Sequence, residues 1–177
     1  MIDASGYGKA LFQLAQENGT DERVREELEL VRTALRSEPS YITLLDTPSV
    51  PKEEKLTLVR EAFGGMEETL VNFLCILCEK RSVNRFSACA DAYDRCFDEA
   101  HEILRATAVS AVPMTAEQKT ALTQRLAEMT GKQIILKNEL NPALLGGITL
   151  RYGGVQLDGS IHSRLEQLGR SLRETIV

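Results

Sequence analysis

The chain has 177 residues, of which 43% are hydrophobic and 27% charged, and this composition excludes disordered and collagen-like proteins. The formal net charge is −5 and the acidic excess lies before residue 106, so no nucleic-acid surface is expected, because phosphate binding needs clustered Lys and Arg. The N-terminus lacks a basic region ahead of an apolar stretch, and no window approaches the roughly 18 apolar residues of a membrane span, so we expect a soluble, intracellular protein without membrane insertion.

The first 105 residues show helical spacing of apolar side chains and no strand-like alternation. The first helix ends at Gly19, and its apolar stripe consists of Tyr7, Ala10, Leu11, Leu14 and Ala15. A second helix begins at a cap provided by Thr20 or Asp21 and ends before Pro39, and its apolar stripe consists of Val24, Leu28, Val31 and Leu35. A short turn or third helix follows at residues 41–45.

Three further helices complete a predicted bundle of six. Ser49 is placed to cap the fourth helix, Pro51 lies in its first turn, and Gly64-Gly65 ends it. The fifth helix, at about 67–80, is apolar on two faces, formed by Leu70, Phe73, Leu74 and Leu77 and by Val71, Cys75 and Cys78. Such a helix is expected to be buried on both faces, inside a bundle or partly against a partner. The sixth helix, at about 83–105, has one long apolar stripe.

After residue 105 the pattern changes and predicts a small α+β domain. Residues 106–112 are small and β-branched and predict a strand, and the Thr115-x-x-Gln118 capping box begins a helix that ends near Gly131. Three more strands are predicted at 133–137, 147–152 and 155–157, the last two joined by a Gly153-Gly154 hairpin turn. A final amphipathic helix covers residues 160–175. The expected fold is mainly α, with a six-helix bundle at 1–105 followed by a small α+β domain at 106–177.

The two Gly-Gly pairs of this domain, at 146–147 and 153–154, raise the question of a phosphate-binding loop. Such a loop needs a Lys after its glycines and a helix that follows them. No Lys follows either pair, and the first pair leads into a strand. A bulge and a hairpin turn are therefore the favoured interpretation.

The four cysteines and two histidines are the candidates for catalytic chemistry in this sequence. A four-thiolate zinc site or a thiol-dependent enzyme is conceivable for Cys75, Cys78, Cys89 and Cys96. All four lie in helical patterns on apolar faces, which favours buried, reduced thiols. His101 and His162 have charged neighbours and no nucleophile beside them in any recognised motif. The sequence therefore predicts no active site, no metal and no cofactor.

Several short strings follow one another along the chain: Tyr7-Gly-Lys-Ala-Leu-Phe, the segment 48–55, Asn72-Phe-Leu, Val109-Ser-Ala, Asn141-Pro-Ala-Leu-Leu-Gly-Gly-Ile and Asp158-Gly-Ser-Ile. In their order and spacing they resemble the delta subunit of bacterial F-type ATP synthases, the counterpart of the mitochondrial oligomycin-sensitivity-conferring protein. The resemblance covers essentially the whole chain. The chain departs from this family at Asn141, where an acidic residue is usual, and at Lys80-Arg81, where a Gly-Arg pair is usual. It also has cysteines in helices five and six, where the family seldom has them.

The resemblance implies a non-catalytic stator subunit that resists rotor torque during proton-driven ATP synthesis. In the family, the N-terminal bundle lies on the catalytic head and takes the N-terminal helix of an alpha subunit into a groove between its first and fifth helices. Carried over to this chain, the contact residues are Tyr7, Ala10, Leu11, Leu14, Val71, Cys75 and Cys78. Each of these side chains could equally belong to the core.

The resemblance also implies that the C-terminal domain holds the ends of the membrane-anchored b subunits. Ile161, Leu165 and Leu168 either meet those subunits or hold the final helix to its own sheet, and the second interpretation is favoured. The isolated chain is expected to be a monomer, and in the complex to lie at the cytoplasmic face of the cell membrane. A cytosolic helical adaptor or regulatory module unrelated to ATP synthase is the alternative that composition and periodicity leave open.

Overall fold

The structure is a computed structural model that describes residues 3–144 and 146–159, and the chain divides into two compact units, Met1–Asp98 and Glu99–Val177. The first unit contains the helices α1 (Ala4–Glu17), α2 (Asp21–Ser37), α3 (Pro39–Asp46), α4 (Lys52–Phe63), α5 (Glu68–Glu79) and all but the last two residues of α6 (Phe86–Ala100). A 3-10 turn at Val83–Arg85 precedes α6. The predicted mainly α fold with an N-terminal helix bundle is confirmed.

The core of the bundle contains the apolar stripe of α2, whereas on α1 it contains Phe12, which the predicted stripe omitted, and leaves Ala10 and Leu14 exposed. On α2, the buried side chains follow the helical period at Val24, Leu28, Val31 and Leu35. Aromatic rings join α1 to α6, because Phe12 meets the rings of Tyr93 and Phe97 edge-on at centroid distances of 5.5 and 6.4 Å. The hydroxyl of the fully buried Tyr93 donates to the carbonyl of Asp21 at 2.8 Å, so its burial leaves no polar atom unpaired.

Two predicted helix ends are wrong. Pro51 occupies the cap position of α4 rather than its first turn, and the helix has no side-chain cap, so Ser49 does not cap it. The sixth helix ends at Ala100 instead of Arg105, because Glu102 takes a left-handed backbone conformation (φ 53°) that breaks the helix. The apolar residues that continue the α6 stripe therefore belong to a strand that begins at Ile103 and not at Ala106.

The second unit contains β1 (Ile103–Ser110), α7 (Ala116–Thr130), β2 (Gln133–Leu140), β3 (Ile148–Tyr152) and β4 (Val155–Asp158). The strand order is β2-β1-β3-β4, with β1 and β2 parallel and the other pairs antiparallel. The predicted capping box is present, and the predicted turn at Gly153 and Gly154 has φ values of 51° and 80° that favour glycine. The crossover helix α7 lies between the two parallel strands in sequence, as parallel pairing requires.

The core of the second unit lies between α7 and one face of the sheet. Its buried members are Ala106, Ala108, Met114, Leu126, Ile134 and Leu150. Asn138 fixes the entry to α7, because its amide donates to the Ala108 carbonyl at 3.0 Å and accepts from the Met114 N–H at 3.1 Å. The final predicted helix, with Ile161, Leu165 and Leu168, lies outside the described residues. Within the described ranges, no helix combines the length and the apolar character needed to cross a membrane.

Candidate partner-binding groove between α1 and α5

Helices α1 and α5, which the family resemblance implies are the two walls of a groove, are in contact in the bundle. At one end the side-chain amide of Asn18 donates to the Thr69 hydroxyl at 3.3 Å. Asn18 is the C-cap of α1, and Thr69 lies in the first turn of α5. The end of the first wall is therefore tied to the start of the second.

The four predicted contact residues of α1 do not share one environment. Leu14 is 51% exposed and Ala10 is also exposed, whereas Tyr7 is half-buried. Spacings of three and four residues place these three side chains on one face of the helix. Leu11 is only 3% exposed and belongs to the core. The accessible part of this wall therefore consists of Tyr7, Ala10 and Leu14.

On α5, the three predicted contact residues are all buried within the chain itself. Val71, Cys75 and Cys78 are 9%, 8% and 3% exposed, so both apolar faces of this helix are covered, as its pattern predicts. The apolar side chain that α5 does expose is Ile76, at 43%. Sequence reasoning did not select Ile76, because it falls on neither of the two apolar stripes. An apolar residue that lies off the stripes of an otherwise buried helix is the signal that could have identified it.

Gly8 allows α1 to lie directly against α6. A Cβ atom at this position would overlap the carbonyl oxygen of Cys89 and come within 2.7 Å of the Ala92 Cβ and 3.0 Å of the Tyr93 nitrogen. Real Cβ atoms essentially never approach backbone this closely, so the two helices cross at a distance that only glycine permits. Gly8 thus places the α1 wall, and a glycine inside an otherwise helical pattern is the sequence feature that marks it.

The first turn of α5 is held by a side chain from α2. The N–H of Glu67, the cap residue of α5, donates to a carboxylate oxygen of Glu27 at 2.6 Å, and α5 has no side-chain cap of its own. The other oxygen of Glu27 accepts from Arg23 Nε at 3.0 Å, and Arg23 also pairs with the Glu67 carboxylate at 3.3 Å. Hydrogen bonding to Glu27 is the largest cause that raises the pKa of Arg23.

The cysteines lie in and beside this pair of helices as free thiols. Cys75, Cys78 and Cys89 are buried, and Cys96 is half-buried. Burial raises the pKa of Cys89 from 9.0 to about 11. Burial also raises the pKa of Cys78, and the positive charge of the nearby Lys55 opposes this shift. Among the residues that the structure describes, no group of three or more His, Cys, Asp or Glu side chains could hold a metal ion.

The thiols are expected to differ in their reactivity. At about pH 8, iodoacetamide should modify Cys96 first and leave Cys89 unmodified until the protein unfolds, because the thiolate is the nucleophile and burial keeps Cys89 protonated. The folded state retains this proton above the pH at which the unfolded state releases it, so the free energy of unfolding should decrease as the pH rises above about 9. Mass spectrometry of the alkylated peptides measures the order in which Cys96 and Cys89 are modified. Prompt labelling of Cys89 in folded protein would contradict the expected order.

Comparisons with known proteins agree with this architecture. The family model described as ATP synthase delta (OSCP) subunit matches residues 4–172. A protein named ATP synthase subunit delta from Desulforudis audaxviator is 34% identical over 175 residues, covering 98% of this chain and 96% of its own, and one from Geobacillus sp. is 34% identical with 97% of each chain covered. A chain in the cryo-EM structure of the Toxoplasma gondii mitochondrial ATP synthase hexamer superposes with a TM-score of 0.69 at 26% identity, covering 97% of this chain and 98% of that one. The chain belongs to the ATP synthase delta (OSCP) subunit family, the stator components of the peripheral stalk.

Proposed function

We propose that this stator subunit binds the N-terminal helix of an alpha subunit in the groove between α1 and α5 and holds the ends of the b subunits through its second unit. In this role it has no active site of its own. It transmits the holding force between the catalytic head and the membrane-anchored stalk, at the cytoplasmic face of the cell membrane. The partners and the location are those that the family resemblance implies.

The observation that supports the alpha-subunit site most is the pair of exposed apolar side chains on two contacting helices. Leu14 on α1 is 51% exposed and Ile76 on α5 is 43% exposed, although most other apolar side chains of these helices are buried. An amphipathic helix that docks in a groove needs such apolar anchors and covers them when it binds. Ala10 and Tyr7, on the same face of α1 as Leu14, extend the accessible apolar surface of this helix.

The second unit also exposes apolar side chains, which suits contact with helical ends. Val112, Met129, Ile135 and Leu140 are 69%, 66%, 39% and 55% exposed, and the edge strand β4 exposes Val155 and Leu157. A stalk made of amphipathic helices can cover such side chains with its own apolar stripe. The residues Ile161, Leu165 and Leu168 remain proposed contacts for the b subunits.

The groove is tested by calorimetric titration of the full-length chain with a peptide of about the first twenty residues of the same organism's alpha subunit. We expect saturable one-to-one binding, weakened about tenfold or more by Leu14→Asp, because a charge would have to be buried beside the docked helix. Ala10→Asp is expected to act in the same direction. The melting temperature should change little, since the Leu14 side chain is already half in solvent.

Leu30→Asp is the matched control. Leu30 is 61% exposed on α2 and lies on neither wall of the groove, so the same change in charge should leave the affinity unaltered. Equal weakening by Leu14→Asp and Leu30→Asp would indicate a non-specific charge effect. Failure of the folded wild-type chain to bind the peptide would reject the groove between α1 and α5.

A further inference from the structure

We propose that Glu27 is a positioning residue for the partner helix: it fixes the first turn of α5 against α2 and so sets the spacing of the groove between α1 and α5. This inference rests on the proposed function, because it concerns the shape of the same groove. Glu27 would not touch the docked helix. It would act through α5, whose Ile76 is 43% exposed and would form part of the proposed binding surface.

The start of α5 lacks the local feature that normally completes a helix. The first four N–H groups of a helix have no partner within it, and a Ser, Thr, Asp or Asn cap usually supplies one. The cap residue of α5 is Glu67, and its side chain makes no cap hydrogen bond. The carboxylate of Glu27 accepts from the N–H of the cap residue Glu67 itself, the donor that a Glu or Gln of a capping box would otherwise satisfy, at 2.6 Å and from a residue that is 9% exposed.

The origin of this carboxylate on another helix gives it a role that a local cap could not have. A local cap stabilises its helix wherever the helix lies, whereas Glu27 can bind Glu67 only when α5 begins beside the second turn of α2. A negative charge at this place also interacts favourably with the positive end of the α5 dipole. The interaction therefore favours one position of α5 over others.

Two further contacts extend this arrangement to both walls of the groove. Arg23 holds the Glu27 carboxylate at 3.0 Å and the Glu67 carboxylate at 3.3 Å, which orients Glu27 towards α5. On the other side of the same turn, Thr69 accepts from Asn18, the C-cap of α1. The exposed Leu14 lies one helical turn before Asn18, so the spacing at the apolar anchor of α1 depends on where this turn of α5 is held.

The experiment compares full-length wild type, Glu27→Ala and Glu27→Gln in the peptide titration, with amide hydrogen exchange and thermal melting of the same samples. Glu27→Ala should weaken peptide binding about five- to tenfold and speed exchange in the first turn of α5, because the Glu67 N–H loses its acceptor. Glu27→Gln keeps an acceptor oxygen and should restore most of the affinity. Glu26→Gln, an exposed acid next to it on α2, is the control and should change neither quantity.

The outcomes separate this inference from the proposed function. If the wild type binds and the affinity of folded Glu27→Ala is unchanged, even with a lower melting temperature, Glu27 is only a stabilising residue and the inference is overturned. If the folded wild type does not bind the peptide at all, the groove itself is rejected. If Glu27→Ala fails to fold, Glu27→Gln decides. Wild-type affinity and wild-type exchange in Glu27→Gln would support the need for an acceptor at this position. An affinity that Glu27→Gln and Glu26→Gln reduce equally would oppose the inference.

Discussion

Replacement of Gly8 by alanine is expected to destabilise the bundle by about 3 kcal/mol or more, because the added methyl group has no space at the crossing of α1 and α6. The atoms that it would meet are the Cys89 carbonyl oxygen, the Tyr93 nitrogen and the Ala92 Cβ. Backbone atoms in the middle of a helix cannot move aside as the end of a long side chain can. The two helices must therefore separate, and the contacts of Phe12 with Tyr93 and Phe97 would be lost with the separation.

Urea denaturation of wild type, Gly8→Ala and Gly65→Ala measures this effect. An added Cβ at Gly65 meets no atom within 4 Å, so this control should change the free energy of unfolding by about 0.5 kcal/mol or less. Helix propensity alone would favour alanine at position 8, since alanine is about 1 kcal/mol better than glycine inside a helix. A Gly8→Ala variant as stable as wild type would show that α1 does not approach α6 at this distance.

Local patterns in the sequence were sufficient to predict most elements of the fold. The α2 stripe, the capping box before α7 and the Gly153-Gly154 turn each depend on residues a few positions apart, and each is present. The boundary between α6 and β1 was misplaced for the same reason. Leu104 continues the helical stripe of α6, and the change at Glu102 is decided by pairing of β1 with β2 and β3, which are distant in sequence.

The family resemblance names α1 and α5 as the walls of the proposed groove, but nothing in the sequence names the residues that fix how these helices pack. The pattern of α5 correctly indicated burial on two faces, yet it could not show that the chain itself covers Val71, Cys75 and Cys78. Glu27 carries no local signal, because its acceptor role depends on an N–H forty residues further along the chain. A charged residue on α2 is expected to be solvated, and only the packing of α2 beside α5 makes it a cap.

Asp46→Ala is expected to reduce the free energy of unfolding by about 2 to 3 kcal/mol, because two backbone N–H groups lose one carboxylate. Asp46 is the last residue of α3, and its two oxygens accept from the N–H groups of Val83 and Asn84 at 3.1 and 3.3 Å. These groups belong to the 3-10 turn that links α5 to α6. Asp46→Asn retains one acceptor and should lose about half as much.

The same urea measurement, with exchange of the Val83 amide as a local probe, tests this effect, and an Asp46→Ala variant with wild-type stability and exchange would contradict it. Asp46 and Glu27 both accept from backbone N–H groups of another element. Asp46 acts beyond the C-terminal end of α5, whereas Glu27 acts where α1 and α5 are tied by Asn18 and Thr69. We therefore expect folded Asp46→Ala to bind the alpha-subunit peptide as wild type does. Asp46→Ala would then lose stability without losing affinity for the peptide, whereas Glu27→Ala would lose affinity. The affinity would thus depend on the position of the start of α5.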